Sequence, residues 1–222
     1  MKAQLRWWIA LICCLLFLEA SKTIALATVI GIGPGSFPSG SLLIDFTGLA
    51  TGTEVNGLTV NGVQFRYSLG NGAVIIDGGP GTTNNIAPPN IVSVGNDTGT
   101  LTMTLPALST LFGYGYAILT MATVPNATTI SLFSGITPVG SLSYLGLPDP
   151  GFTGGFAGIQ STIPFDEVAV TFNSAAAPAF ALDNVRIATT AIPEPTTLLL
   201  MASGIGMLLW HRLWHRRTKP AV

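Results

Sequence analysis

Residues 28–190 of this chain contain no histidine, no cysteine and no lysine. Catalytic triads of the Ser-His-Asp type, cysteine nucleophiles and Schiff-base lysines therefore cannot be built in this region. Ordinary zinc sites are excluded for the same reason, because their ligands are mainly histidine and cysteine. Only carboxylate chemistry remains open to this part of the chain.

Positive charge is scarce in the same region. Residues 28–190 carry two arginines against eight acidic residues, a net charge of −6, whereas the whole chain has a net charge of −1. The acidic residues are Asp45, Glu54, Asp77, Asp97, Asp149, Asp166, Glu167 and Asp183. A domain with this balance cannot neutralise a phosphate backbone, which excludes nucleic-acid binding. The length suits one domain with a sizeable core.

The carboxylates do not form an obvious catalytic pair. A glycosidase needs two carboxyl groups across a cleft, and Asp166 and Glu167 are neighbours on a predicted strand, so their side chains point to opposite faces. Asp77 and Asp149 lie in predicted loops, where aspartates are usually turn formers. We therefore interpret the chain as a non-enzyme, with a secreted carboxylate-dependent glycosidase or lyase as the alternative.

Short apolar and β-branched runs alternate with clusters of Gly, Pro, Asn and Asp, and no segment keeps a helical period over three turns. This pattern predicts an all-β domain, arranged as a two-sheet, jelly-roll-like β-sandwich. The predicted strands are Leu42–Phe46, Leu58–Val60, Val63–Tyr67, Ala73–Ile76, Ile91–Val94, Thr100–Leu105, Tyr114–Ala122, Thr128–Phe133, Val139–Leu145, Gly154–Ile159, Glu167–Phe172 and Phe180–Ile187.

Aromatic residues alternate with glycine in the run Phe112-Gly113-Tyr114-Gly115-Tyr116. Glycine between aromatic residues either relieves crowding in a twisted strand or flattens a surface on which sugars stack. Core packing is the commoner use, and we expect it here.

The N-terminal residues have the features of a secretion signal. Lys2 and Arg6 precede an apolar stretch, and Ala25-Leu26-Ala27 offers small residues at the positions that signal peptidase inspects. We predict a signal helix and signal peptide over residues 1–27, cleaved after Ala27 or, alternatively, near Ala20. Both cysteines of the chain lie inside it, so the mature protein has no thiol.

Three features follow one another in residues 191–222. Pro193-Glu194-Pro195 comes first, and its prolines predict an extended, accessible segment. An uncharged apolar run then predicts a transmembrane helix over about residues 196–214. The basic cluster Arg212, Arg216, Arg217 and Lys219 predicts a cytoplasmic C-terminus, with the β domain on the outer side of the inner membrane.

This order resembles the tail of the PEP-CTERM proteins of Gram-negative bacteria, which have a Pro-Glu-Pro signature, a transmembrane stretch and a basic terminus. The resemblance covers only these last residues, and Ile192 stands where many members have valine. It implies that an exosortase recognises the motif and that the protein is a surface or exopolysaccharide-associated protein. An ordinary C-terminal anchor is the alternative.

The segment Phe180–Ile187 resembles the last strand of jelly rolls of the carbohydrate-binding-module type, in which an Asp-Asn pair lies beside the first strand. The first strand here would be Leu43-Ile44-Asp45-Phe46, so Asp45 and Asp183 are expected to lie close together. Two such carboxylates repel unless a cation or a proton intervenes. Calcium is the natural cation, with ligands from Asp45, Asp183, Asn184 and backbone carbonyls. Separate hydrogen bonding in strand-end turns is the alternative.

Two classes of function follow. The chain is expected to be an exported surface or matrix protein that binds glycans or neighbouring proteins; a carboxylate-dependent secreted enzyme is the alternative. Ice binding would need flat threonine-rich ladders on one face, and the run from Thr100 to Thr104 is too short to argue for it.

Overall fold

The computed structural model describes residues 28–77, 83–93, 95 and 97–189. The predicted signal peptide, sorting motif, transmembrane stretch and basic cluster lie outside these residues. The strands are β1 (Val29–Gly31), β2 (Leu42–Ile44), β3 (Thr59–Val60), β4 (Val63–Tyr67), β5 (Val74–Asp77), β6 (Asn90–Ser93), β7 (Leu101–Ile118), β8 (Val124–Ser134), β9 (Thr137–Asp149), β10 (Phe152–Phe172) and β11 (Phe180–Ala188).

The described residues otherwise contain one short 3-10 helix, Pro34–Ser36, and no α-helix. The all-β prediction is therefore confirmed. Within this part of the chain we find no helix that is long and apolar enough to cross a bilayer.

All eleven strands belong to one antiparallel sheet, whose central order is β5-β6-β11-β7-β10-β8-β9. Strand β1 pairs with β10, β2 with β11, β4 with β7, and β3 with β4. The prediction of two sheets is corrected in this respect, because the chain builds one continuous sheet.

The sheet is continuous because β7 and β10 are unusually long, with 18 and 21 residues. The sequence predicted four shorter strands here, since Pro106 and Pro164 cannot donate a ladder hydrogen bond and normally end a strand. The pairing register of β10 with β7 shifts between Gln160 and Phe165 and again between Phe165 and Glu167. These irregularities accommodate the prolines and let the strand pair bend instead of ending.

We call the parts on either side of the bend the two half-sheets. The first half-sheet contains β3, β4, residues 101–105 of β7, residues 167–172 of β10, β8 and residues 137–146 of β9. The last residues of β9, 147–149, pair with residues 152–154 of β10 and so join the second half-sheet. The second half-sheet contains β1, β2, β5, β6, β11, residues 111–118 of β7 and residues 152–160 of β10.

The two half-sheets face each other across a single hydrophobic core. Phe172 of the first stacks on Phe180 of the second, with ring centroids 4.0 Å apart. The Tyr114 hydroxyl lies 2.5 Å from Thr128 Oγ1, and Thr128 Oγ1 donates to the Thr171 carbonyl, so Tyr114 is the donor to Thr128. Burying each large aromatic side chain contributes about 1.5–3 kcal/mol to stability.

Strand β2 pairs with β11 as predicted, with Val185 opposite Ile44 and Ile187 opposite Leu42. The short strand β1, which the sequence did not predict, pairs with β10. Both pairings extend the second half-sheet, which carries the site described next.

Candidate functional site

The alternation of aromatic residues and glycine in β7 separates the two faces of the second half-sheet. Phe112, Tyr114 and Tyr116 point into the core and are at most 1% exposed. This confirms the prediction that these rings pack in the core. The same alternation puts Gly113, Gly115 and Ala117 on the outer face.

The two glycines allow other groups to lie directly on the backbone of β7. A Cβ atom on Gly115 would overlap the carbonyl oxygen of Asn85, and one on Gly113 would come within 2.6 Å of the Phe156 ring. This role was not predicted from the sequence, although glycine inside a strand is a recognised signal of close backbone approach. We call residues 83–89 the outer loop.

Carboxylates and an amide fasten the outer loop to the sheet. Asp183 Oδ2 accepts a hydrogen bond from the Ala87 amide at 3.1 Å, and Asn184 Nδ2 donates to the Asn85 carbonyl at 2.9 Å. At the other end, Asp149 accepts from the backbone amide of Asn84 at 3.0 Å and from its side chain. Asp149 thus has a structural partner.

Asp183 lies in an unusual electrostatic environment. It is 2% exposed, and its Oδ1 has no hydrogen-bond partner within the part of the chain that the structure describes. Burial raises the pKa of this carboxyl to about 6, against the opposing effect of backbone amides, and the negative charge of Asp45 raises it further. Asp45 and Asp183 are therefore close enough to interact, as the sequence analysis expected.

The fit of calcium to this place is partial. Ca²⁺ takes six to eight oxygen ligands, and the described residues hold no group of three or more His, Cys, Asp or Glu side chains that could bind a metal. Asn184 directs its amide nitrogen to Asn85 and Asp183, and Asp45 Oδ1 accepts from the Thr47 amide at 3.1 Å. Calcium at Asp45, Asp183 and Asn184 stays a prediction.

An open depression of about 180 Å³ lies beside the outer loop on the outer face. Its floor includes Ala117 and Ala181, which belong to a small buried cluster with Ile86 and Val92, separate from the main core. The small side chains leave the space that larger residues would fill. The described residues that line it are Ile75, Asp77, Val92, Ser93, Ala117, Ile118, Leu119, Phe152, Ala179, Phe180 and Ala181.

Two of the described residues that line this depression have polar side chains. Ser93 Oγ accepts a hydrogen bond from the Phe180 amide at 2.9 Å. Asp77, the last residue of β5, contributes a carboxylate, and the half-buried ring of Phe152 contributes an aromatic wall. The arrangement suits a small ligand that has an apolar surface and a hydrogen-bond donor.

No family model and no curated protein matches this chain. Among solved structures, it is similar to an alanine mutant of CBM29-2, a family 29 carbohydrate-binding module, with 10% identity and a TM-score of 0.38 over 76% of this chain and 96% of that one. It is also similar to the catalytic domain of an aspartate-to-alanine variant of a GH87 α-1,3-glucanase in complex with nigerose, with 13% identity and a TM-score of 0.37 over 70% of this chain and 29% of that one. Similarities at this level carry no argument about function.

Proposed function

We propose that this chain is a PEP-CTERM protein, exported to the cell surface or extracellular matrix of a Gram-negative bacterium. The support is the order of Pro193-Glu194-Pro195, the apolar run and the basic cluster, together with the features of residues 1–27. Signal peptidase and an exosortase are its processing partners, and it crosses the inner membrane in transit. We also propose that the folded-over sheet is of jelly-roll type.

Replacing Glu194 by Ala tests the sorting proposal. We expect unprocessed precursor to accumulate in the inner membrane, while the parent chain reaches an outer fraction with new ends near Thr28 and Pro193. Mass spectrometry of the fractionated native host measures both. Unchanged processing in the variant, or an intact basic tail in the parent, would indicate an ordinary anchor.

The molecular role that we propose is non-enzymatic binding of a glycan, as found in exopolysaccharide. The observation that carries it is the depression, which combines an apolar floor, the Phe152 ring and the Asp77 carboxylate. Sugar rings have apolar C–H faces that pack on aromatic rings and hydroxyl groups that donate to a carboxylate.

The same depression argues against the glycosidase or lyase alternative. Glycoside hydrolysis needs two carboxyl groups about 5 to 10 Å apart on one groove. Asp77 is the one acidic residue among the described residues that line the depression. Asp149, the other loop aspartate that the sequence singled out, holds Asn84.

Filling the depression tests the binding role. In the full chain, purified in mild detergent, we expect Ala117→Leu to abolish binding to an oligosaccharide panel in isothermal titration calorimetry. Ala169→Leu is the matched control, because Ala169 is a half-buried residue on the outer face of the first half-sheet. Equal binding by the two variants would contradict the proposal, and thermal unfolding checks that both are folded.

A further inference from the structure

Asp77 stands out in the depression because its carboxylate has no partner among the described residues. Among the described residues it makes neither a hydrogen bond nor an ion pair, although it is half-buried. An ionised carboxylate only accepts hydrogen bonds, so it needs a donor. The strongest donors to a carboxylate are themselves positively charged.

The surroundings strengthen the electrostatic field of this carboxylate. Nine of the eleven described lining residues are apolar, and the backbone amide of Phe180 already donates to the Ser93 hydroxyl oxygen. A low-dielectric wall increases the attraction between Asp77 and an incoming cation relative to open water.

The charge of the domain acts in the same direction. Residues 28–190 have a net charge of −6, and neither arginine of the domain, Arg66 or Arg186, lines the depression. A uronic acid or a sulfated sugar would meet Asp77 without a compensating positive charge, which disfavours anionic glycans. A cationic glycan would instead be attracted over a distance.

We propose that the depression binds an amino sugar with a free ammonium group, which pairs with Asp77 while the apolar face of the ring packs on Phe152. This inference rests on the proposed glycan binding and names the class of sugar. At about 180 Å³, the depression is smaller than the roughly 300–1,000 Å³ typical of sites for drug-sized ligands. It therefore accommodates one sugar unit, with the rest of the polymer outside.

The test compares three defined oligomers on the full chain in mild detergent by calorimetry: hexamers of glucosamine, of N-acetylglucosamine and of galacturonic acid. We expect the glucosamine hexamer to bind tightest, and more weakly as salt is raised. Asp77→Asn should weaken its binding about two- to five-fold, as expected for a partly exposed ion pair, and should weaken binding of the N-acetylglucosamine hexamer less, because the asparagine oxygen still accepts a hydrogen bond from a hydroxyl group.

Glu167→Gln is the matched control, since it removes the same charge from the outer face of the first half-sheet. If Glu167→Gln weakens glucosamine binding as much as Asp77→Asn does, the attraction is general and the inference is wrong. If the uncharged or acidic hexamer binds as tightly as glucosamine, glycan binding stands and the amino-sugar assignment is wrong. If none of the three hexamers binds, the inference and the proposed function both fail.

Discussion

The outer faces of the two half-sheets differ in the side chains that they carry. On the first, hydroxyls pair across strands, with 2.8 Å between Thr129 and Ser143 and 3.1 Å between Ser131 and Ser141. On the second, glycine and alanine of β7 lie beneath Phe156 and the outer loop. Hydroxyl groups form hydrogen bonds with each other and with water, so the first face can remain exposed to solvent. The second face lacks such groups and is covered by Phe156 and the outer loop.

Strand β7 contributes residues to the outer faces of both half-sheets. The difference between the open face and the covered face is therefore not a difference between strands. Its outward residues are Thr102 and Thr104 in the first half-sheet and Gly113, Gly115 and Ala117 in the second. Side-chain size along one strand therefore determines where a loop can settle and where a depression remains.

The largest effect is expected from Gly115→Val. The new side chain would collide with the Asn85 carbonyl, so the outer loop must move, and we expect a loss of about 2–3 kcal/mol in the free energy of unfolding. Thr102→Val, on the open face, should change it by less than about 0.5 kcal/mol. Chemical denaturation measures both, and equal losses would show that the faces do not differ as described.

The outer loop also makes the second half-sheet sensitive to pH. Because the pKa of Asp183 rises from 3.8 to about 6 on folding, the folded chain binds this proton more tightly than the unfolded chain. The free energy of unfolding should therefore be highest below about pH 4 and fall as the pH rises towards 6, by about 1–2 kcal/mol allowing for solvent screening.

Denaturation curves between pH 4 and pH 7 measure this slope, and Asp183→Asn should flatten it. The variant removes the titrating group, while its amide oxygen can still accept from Ala87. If the variant keeps the parent's slope, the pH dependence arises from other carboxylates.

A smaller loss is expected from Tyr114→Phe, which removes one buried hydrogen bond between the half-sheets. Burial raises the pKa of the Tyr114 hydroxyl well above its ordinary value, so the group stays protonated and donates to Thr128. We expect a cost of about 1 kcal/mol, measured by thermal unfolding. Tyr144→Phe removes a hydroxyl nearer the surface, bonded to Gly158, and should cost less; the reverse order would contradict this account.

The smallest effect is expected from calcium. If Asp45 and Asp183 bind it with the affinity of extracellular sites, 1 mM calcium should stabilise the chain by about 0.4–1.4 kcal/mol. Replacing both residues by Asn should abolish the resulting rise in melting temperature. Absence of any rise in the parent chain would refute calcium binding there.

The sequence predicted the β class and most strand positions because alternation of side chains is a local signal. It also predicted the β2–β11 pairing and the interaction of Asp45 with Asp183. The sequence predicted two short strands in place of each of β7 and β10, because Pro106 and Pro164 are local strand breakers. That the strands continue past these prolines with a shifted register is visible only in the pairing of β7 with β10. Strand β1 is three residues long, too short to give a periodic signal.

The depression could not be predicted in the same way. Asp77 was predicted to lie in a loop, whereas it is the last residue of β5. Nothing near it in sequence indicated that Ala117, Phe152 and Ala181 would line the same depression. The hydroxyl pairs of the first half-sheet likewise join β8 to β9, which no single run of residues reveals. Both features arise from strands that are distant in sequence and neighbours in the sheet.

The position of β11 has a mechanical consequence. This last strand is not at an edge, because it pairs with β7 along one side and with β2 and β6 along the other. A pull on the chain after residue 188 would load hydrogen bonds on both sides of β11 at once, and its core residues Leu182 and Val185 would have to leave the core with it. The domain is thus connected to the residues after 188 through a strand that is hydrogen-bonded along both edges. Tension on that connection would have to break its pairing with β2, β6 and β7 together.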